Sequence, residues 1–351
     1  MKSEINISHR TIGPNHPTFL IAEIGVNHDG SLQRAMELVD AAAQAGADAV
    51  KLQIFQAKNL VHQSGVLADY QKRQTDAHDP TELLRKYELS RPQLQQVVAA
   101  IRNKKMVPLA TPFSIIDVAT LAELDLPAVK IASPDLVNKP LLREAARLKL
   151  PLLVSTGAAT MSEVAQAVDW ISDWGNPLVL LHCISSYPAP IDQANLCWIG
   201  ELAGQFGVPV GYSDHCTEIL SGALAVAAGA CVIEKHLTYD RSADGPDHTA
   251  SADPEQFAEY ARQIRLADRL RGSAGKHVLD CERDVRTVSR QSVVLAQTLE
   301  ADDIVRPTHL TVQRPGTGIP AALTDQLIGK KADKRLVAGT LLQWDMFRDA
   351  A

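Results

Sequence analysis

Residues 209–238 read PVGYSDHCTEILSGALAVAAGACVIEKHLT, and the fold of the chain follows from how this stretch is read. PVGYSD and CVIEKHLT are short apolar runs of strand length. The segment between them, ILSGALAVAAGACVI (219–233), is too short and too rich in Ala and Gly to span a bilayer. It reads as a helix running into the next strand, so the unit is strand, helix, strand.

The same unit recurs along most of the chain. Apolar runs appear as FLIAEIG, AVKLQIF, MVPLATPF, AVKIASP, PLLVSTG and PLVLLHCIS, and the two above complete a set of eight between about residues 19 and 272. Each is followed by apolar residues at helical spacing, as in SLQRAMELVDAAAQAG and DPEQFAEYARQIRLADRL. Ser31, Thr160 and Asp253 are placed to cap such helices, and Gly46, Gly175 and Gly272 sit just past them. Eight units in unbroken alternation predict a (β/α)8 barrel. A doubly wound sheet would carry fewer units and a glycine-rich dinucleotide loop, which is absent. Residues 1–18 are expected to form a hairpin closing the barrel's bottom. The second strand leads into a long connection, 58–90, expected to act as a lid or substrate-binding element.

The barrel is expected to span 1–272. SAGKHVLDCERDVRTVSR is polar and poorly periodic, giving a linker arm at 273–288. Residues 289–351 then show short strands and turn signals, a small mostly-β domain. A length of 351 residues suits a barrel plus such an appendage. The net charge of -6, spread along the chain, argues against a nucleic-acid surface, so an anionic substrate must be held by local cations. Five scattered cysteines, odd in number and never spaced CxxC, fit reduced thiols in the cytoplasm. MKSEINISHR lacks the apolar core of a signal peptide, so a soluble protein with no membrane role is expected.

Functional side chains of a barrel come from the C-terminal ends of its strands. Those positions hold Glu23, Lys51, Gln53, Thr111, Lys130, Ser133, Ser155, Ser185, Ser213, His215, Glu234 and His236. Residues two apart on a strand share a face. Ser213 therefore points with His215, and Glu234 with His236, on two neighbouring strands. Two imidazoles converging beside carboxylates make a candidate divalent-metal site. Lys51 and Lys130 near strand ends call for an anionic partner, with neutral donors from Thr111, Ser133, Ser155 and Ser213 around them. The alternative is that these lysines pair with the protein's own Glu23 or Asp135. Glu23 and Glu234 are candidates for proton transfer. In DRSADGPDHTAS (240–251), Asp247 and His248 are candidate contacts to sugar hydroxyls.

Taken in order, FLIAEIGVNHDG, KLQIFQAKNLV, ATPFS, KIASPDL, STGAAT, LLHCISSYPAP, GYSDH and EKHLTYDRSADGPDHTAS resemble the motifs of the N-acetylneuraminate (sialic acid) synthase family. SVVLAQTLEADDIV, VQRPGTGIP and IGKKADKRLVAGTLLQWDMF resemble that family's antifreeze-like SAF domain. The resemblance implies condensation of phosphoenolpyruvate with an open-chain N-acetylated amino sugar and water, giving a nonulosonic acid and phosphate. N-acetylmannosamine and a 2,4-diacetamido-hexose are the acceptors it points to. It implies Mn2+, with Mg2+ or Co2+ as alternatives, on His215 and His236. It puts Lys51, Thr111, Lys130, Ser133, Ser155, Ser185 and Ser213 on phosphoenolpyruvate, and Glu23 and Glu234 on the catalytic positions. Gln53, Tyr187 and Asp247 fall where the sugar is held. Arg314 matches an arginine that reaches a partner's site in a domain-swapped homodimer.

The sequence departs from the family pattern at Ser185, often Asn, and at Thr249, commonly Lys. KLQIFQAKNLV resembles members acting on bacillosamine-derived or otherwise modified sugars more than those acting on N-acetylmannosamine. The competing readings are another phosphoenolpyruvate-dependent 3-deoxy-ulosonate synthase and a non-catalytic sugar-binding protein.

Overall fold

Eight parallel strands, β3 (Phe19–Glu23), β4 (Ala49–Ile54), β5 (Val107–Pro112), β6 (Val129–Ile131), β7 (Leu152–Ser155), β8 (Leu178–Cys183), β9 (Val210–Asp214) and β10 (Val232–His236), close into a barrel in sequence order. This is a computed structural model, and it describes residues 3–62, 65–67, 75 and 79–350. β10 pairs with both β9 and β3, which completes the ring. Every predicted strand run contains one of these strands.

The helices form where caps and periodicity place them. Ser31 accepts from the Arg34 N–H at the start of Leu32–Gln44. Thr160 and Asp253 each make a reciprocal capping box, with Glu163 and Gln256, opening Met161–Trp174 and Pro254–Arg271. Gly175 ends its helix at φ 76°, a left-handed conformation that costs a residue without Cβ nothing.

Two apolar layers hold the barrel. The larger lies between the strands' outer faces and the helices, with Val50, Leu52, Leu180 and Tyr212 meeting Leu38, Val97, Ile171 and Ile264. The inner layer fills the barrel's lower half. The hairpin of β1 (Ile5–Ile7) and β2 (Arg10–Ile12) contributes Ile5, Ile7 and Ile12 to it, beside Phe19, Leu109, Leu153, Val179 and Val232. The hairpin thus seals the bottom, as the sequence suggests. Gly211 lies where a Cβ would collide with the Val232 carbonyl, so its lack of a side chain lets β9 and β10 sit close. Those two strands carry the candidate histidines.

Part of the connection after β4 is described: a turn of helix at Ala57–Leu60 and a helix at Pro80–Arg85. The rest of the expected lid (63–64, 68–74 and 76–78) lies outside the described residues.

The chain divides into two units, Met1–Ser273 and Ala274–Ala351. In the second, β11 (Ser292–Leu295) pairs with β12 (Leu310–Gln313), and β13 (Lys331–Ala332) with β14 (Phe347–Arg348). Val293, Leu295, Leu299, Val305, Ile319 and Leu327 form its core. Within the stretch read as a linker arm, Arg283–Ser289 is a short helix with no buried residue. Its polar sequence hides the helix because no apolar stripe marks a face.

Candidate active site

The barrel register sets the site. Glu234 lies opposite Ser213, His236 opposite Glu23, Glu23 opposite Lys51, and Gln53 opposite Thr111. Side chains two apart on each strand therefore converge at the C-terminal mouth, around a cavity of about 480 Å3. Lys51, Gln53, Thr111, Lys130, Ser133, Ser155, Ser185, Tyr187, Ser213, His215, Glu234, His236 and Asp247 all line it. Glu23 sits just behind, fully buried, with Lys51 bonded to it. Arg314 is exposed in the second unit, directly after β12. A wider depression of about 690 Å3 lies at the barrel's opposite end, bordered by His9, Arg102, Lys105 and Asp125; it lacks converging buried polar groups.

The floor of the cavity is a network of four charges. Lys51 Nζ contacts Glu23 Oε2, lies 3.2 Å from Glu234 Oε1, and donates to Thr111 Oγ1 at 3.3 Å. Lys130 Nζ reaches the same Glu234 oxygen at 3.3 Å, and Ser213 Oγ donates to it at 3.2 Å. The alternative pairing of lysines with protein carboxylates is thus realised for Glu23 but not for Asp135, which accepts from Asn138 at 3.0 Å. Sequence spacing missed that Glu234 bridges both lysines.

The two carboxyls are held differently. Burial pushes Glu23 up to about 7, against the opposing pull of Lys51. Burial would raise Glu234 too, but Lys130 and Lys51 together hold it down to about 2. Burial lifts Asp247 to about 6. Burial also lowers Lys130, while the two carboxylates outweigh burial at Lys51 and raise it.

His215 and His236 face one another at the rim, ring centres 5.5 Å apart and tilted by 56°. The Tyr187 ring lies 4.1 Å from His215 and 6.0 Å from His236. His215 Nδ1 donates to the Ile184 carbonyl at 2.8 Å, a bond that leaves a lone pair on Nε2. Burial, with His215 nearby, keeps His236 neutral by holding it well below its ordinary value. Its buried Nδ1 has no hydrogen-bond partner; Asp247 Oδ2 is 3.6 Å away, too far for one. Two facing imidazoles, His236 held neutral with an unpartnered nitrogen and His215 pushed up by Cys183 and the Ile184 carbonyl against the effect of burial, fit a divalent cation that keeps positions open for water and substrate. Among the described residues no group of three or more His, Cys, Asp or Glu is gathered that could hold an ion.

Ser155 Oγ is also buried without a partner, and so is the second oxygen of Glu234. Each such atom costs about 1–3 kcal/mol unless something bonds it, which a polar ligand would do. Gly157 donates its N–H to Ser133 Oγ at 3.0 Å, and a Cβ there would strike both Ser133 and Ser185. That close approach brings the two hydroxyls to one wall.

Cys183, 3.7 Å from His215 Nδ1, also lines the cavity and was not singled out from sequence. Its register opposite Ser213 is the signal that finds it. Val26, Phe55, Leu60, Leu84 and Phe113 supply an apolar wall that polar-residue reading passes over. His248 does not reach the cavity; it is fully buried, with both ring nitrogens bonded within the protein.

A family model described as the NeuB family matches residues 38–276, and one described as the SAF domain matches 290–348. An N,N'-diacetyllegionaminic acid synthase of Legionella pneumophila is 40% identical over 95% of this chain and 95% of its own. A pseudaminic acid synthase of Campylobacter jejuni is 33% identical over 94% of this chain and 96% of its own. The solved structure of an N-acetylneuraminic acid (sialic acid) synthetase from Leptospira borgpetersenii, in complex with citrate, superposes with a TM-score of 0.75. It is 33% identical, covering 81% of this chain and 95% of that one.

Proposed function

The chain belongs to the NeuB family, and from that membership we propose that it condenses phosphoenolpyruvate with an N-acetylated aldose to give a nonulosonic acid and phosphate. The observation that carries the reading is the single cavity in which two buried ammonium groups lie beneath two facing imidazoles.

Phosphoenolpyruvate is a small, multiply charged anion. Lys51 and Lys130, with the hydroxyls of Thr111, Ser133, Ser155, Ser185 and Ser213, offer it charge and donors inside one wall. The lysines are already paired with Glu23 and Glu234, so the cavity meets its ligand nearly neutral rather than with bare buried charge. The aldose would lie above, against Gln53, Tyr187 and Asp247. A divalent cation bound by His215 and His236, Mn2+ first among those of suitable chemistry, would supply polarisation of the aldehyde carbonyl.

The enol carbon C3 attacks that carbonyl carbon, forming the new C–C bond, and the aldehyde oxygen takes a proton. Water adds to C2, losing a proton, and the C2 hydroxyl then becomes the keto group as the C2–O bond to phosphate breaks, its proton leaving with the phosphate. One proton is given and one is taken, so a single group can serve both steps. Glu234, ringed by two ammonium groups and a hydroxyl, is a fixed anion. Glu23, touching one ammonium and poised near 7, is the carboxyl suited to passing the proton.

Arg314 would complete the site from a partner subunit of a domain-swapped homodimer. The five cysteines are all free, which supports a reducing, cytoplasmic setting. No helix among the described residues is long and apolar enough to cross a membrane.

The test is inorganic phosphate release from phosphoenolpyruvate with Mn2+ and a panel of 2-acetamido and 2,4-diacetamido aldoses. Release that depends on the aldose supports the reading. A folded protein that binds phosphoenolpyruvate yet releases none with any of them would sink it.

A further inference from the structure

Asp247 reaches the cavity from the segment DRSADGPDHTAS, twelve residues of turn formers that nothing in their own sequence makes rigid. Two buried ties hold the segment instead, and both start from the turn after β3. In the first, His248, 0% exposed, sits with Nε2 3.1 Å from Asp29 Oδ1 and Nδ1 2.7 Å from Thr238 Oγ1. Asp29 also accepts from the Tyr239 hydroxyl at 2.9 Å and from Arg34 at 2.5 Å. The Arg34 guanidinium lies 4.0 Å over the Tyr239 ring, closing the cluster. In the second, Asn27 Nδ2 donates to Ser251 Oγ at 2.8 Å, and Ser251 Oγ donates to the Asp247 carbonyl at 2.6 Å.

The ties grip residues on either side of Asp247, and the carboxylate itself is left to the cavity. Gly245, at φ +157°, runs so close to the His248 ring that a Cβ would meet its Cδ2 at 2.6 Å. The loop is therefore wrapped on the imidazole. A buried histidine with both nitrogens satisfied and no face in the cavity does not touch substrate. Its effect runs through the residue next to it.

We propose that Asp29 and His248 form a clasp whose work is to position Asp247 for the acceptor. The inference rests on the reading of the cavity as an acceptor site. Because the lysine floor is built on other strands, cutting the clasp should spare phosphoenolpyruvate. Misplacing a positioning group by about 1 Å costs on the order of 100-fold, so a tenfold or larger effect is expected.

The experiment is steady-state kinetics of Asp29→Asn and Ser251→Ala, varying each substrate in turn, with N-acetylmannosamine and a 2,4-diacetamido-hexose as the aldoses. In Asp29→Asn the aldose KM rises at least tenfold while the phosphoenolpyruvate KM stays within twofold. Ser251→Ala cuts only the second tie and shows the same split at smaller size, which keeps the proposal open to test if Asp29→Asn fails to fold. An aldose KM within twofold of the unaltered protein in a folded variant, or both KM values rising together, overturns the clasp. If the unaltered protein releases no phosphate with either aldose, the acceptor-site reading itself fails and takes the clasp with it.

Discussion

Replacing Lys51 by Met separates the two roles its ammonium can have. The side chain is 6% exposed and touches Glu23, Glu234 and Thr111. Breaking a buried pair by removing one partner costs about 3–5 kcal/mol. Lys130 still holds Glu234 at 3.3 Å, so Glu23 is the group left without a cation, keeping only the Gly25 N–H. Glu23 already sits near 7 with Lys51 in place, and without it moves higher. Below that pH it takes a proton and the cost shrinks; above it the full cost applies. At about 2–4 °C per kcal/mol for a domain near this size, the melting temperature falls by about 6–20 °C at alkaline pH, and by less at pH 6. Loss of a charged hydrogen bond, about 1.5–3 kcal/mol, weakens phosphoenolpyruvate roughly 10- to 160-fold. Titration calorimetry of phosphoenolpyruvate and thermal unfolding at both pH values measure the two effects. Unchanged affinity beside a lowered melting temperature would make Lys51 a structural ion-pair partner and nothing more. A stability loss that ignores pH would mean that Glu23 is not the group left behind.

The ligand assignment for His236 is checked by His236→Ala, which should lose metal-dependent turnover and Mn2+ binding by calorimetry while melting near the unaltered protein; normal turnover would refute it. Glu23 near 7 and Asp247 near 6 hold protons in the folded state that the unfolded chain has already released. Their contribution is complete below about pH 4 and is lost as pH rises through 6 to 7, so denaturant unfolding should show stability falling across that window. The same slope in Glu23→Gln as in the unaltered protein would contradict this. Arg314→Ala should raise the aldose KM or lower turnover, and mixing its subunits with His236→Ala subunits should restore part of the activity. No recovery after confirmed subunit exchange would argue against a shared site.

The barrel is legible because each strand is a short apolar run bounded by caps and glycines, a pattern that local chemistry writes directly into sequence. The histidine pair is legible for a related reason: period-two alternation and neighbouring strands fix which residues meet. What spacing leaves open is who bonds whom. Glu234 binding both lysines depends on the curvature of the closed ring, which brings β4 and β6 across to β10. His248 reads as a sugar contact from composition, yet Gly245 turns the chain back over it and buries it. The helix Arg283–Ser289 has no buried side, so no apolar period announces it.

The central claim is most directly tested by running the reaction in 18O-labelled water and weighing the released phosphate. Condensation by water attack at C2 and C–O cleavage leaves the phosphate unlabelled, its bridging oxygen coming from phosphoenolpyruvate, with release dependent on the aldose. Labelled phosphate, or release indifferent to the aldose, would contradict it.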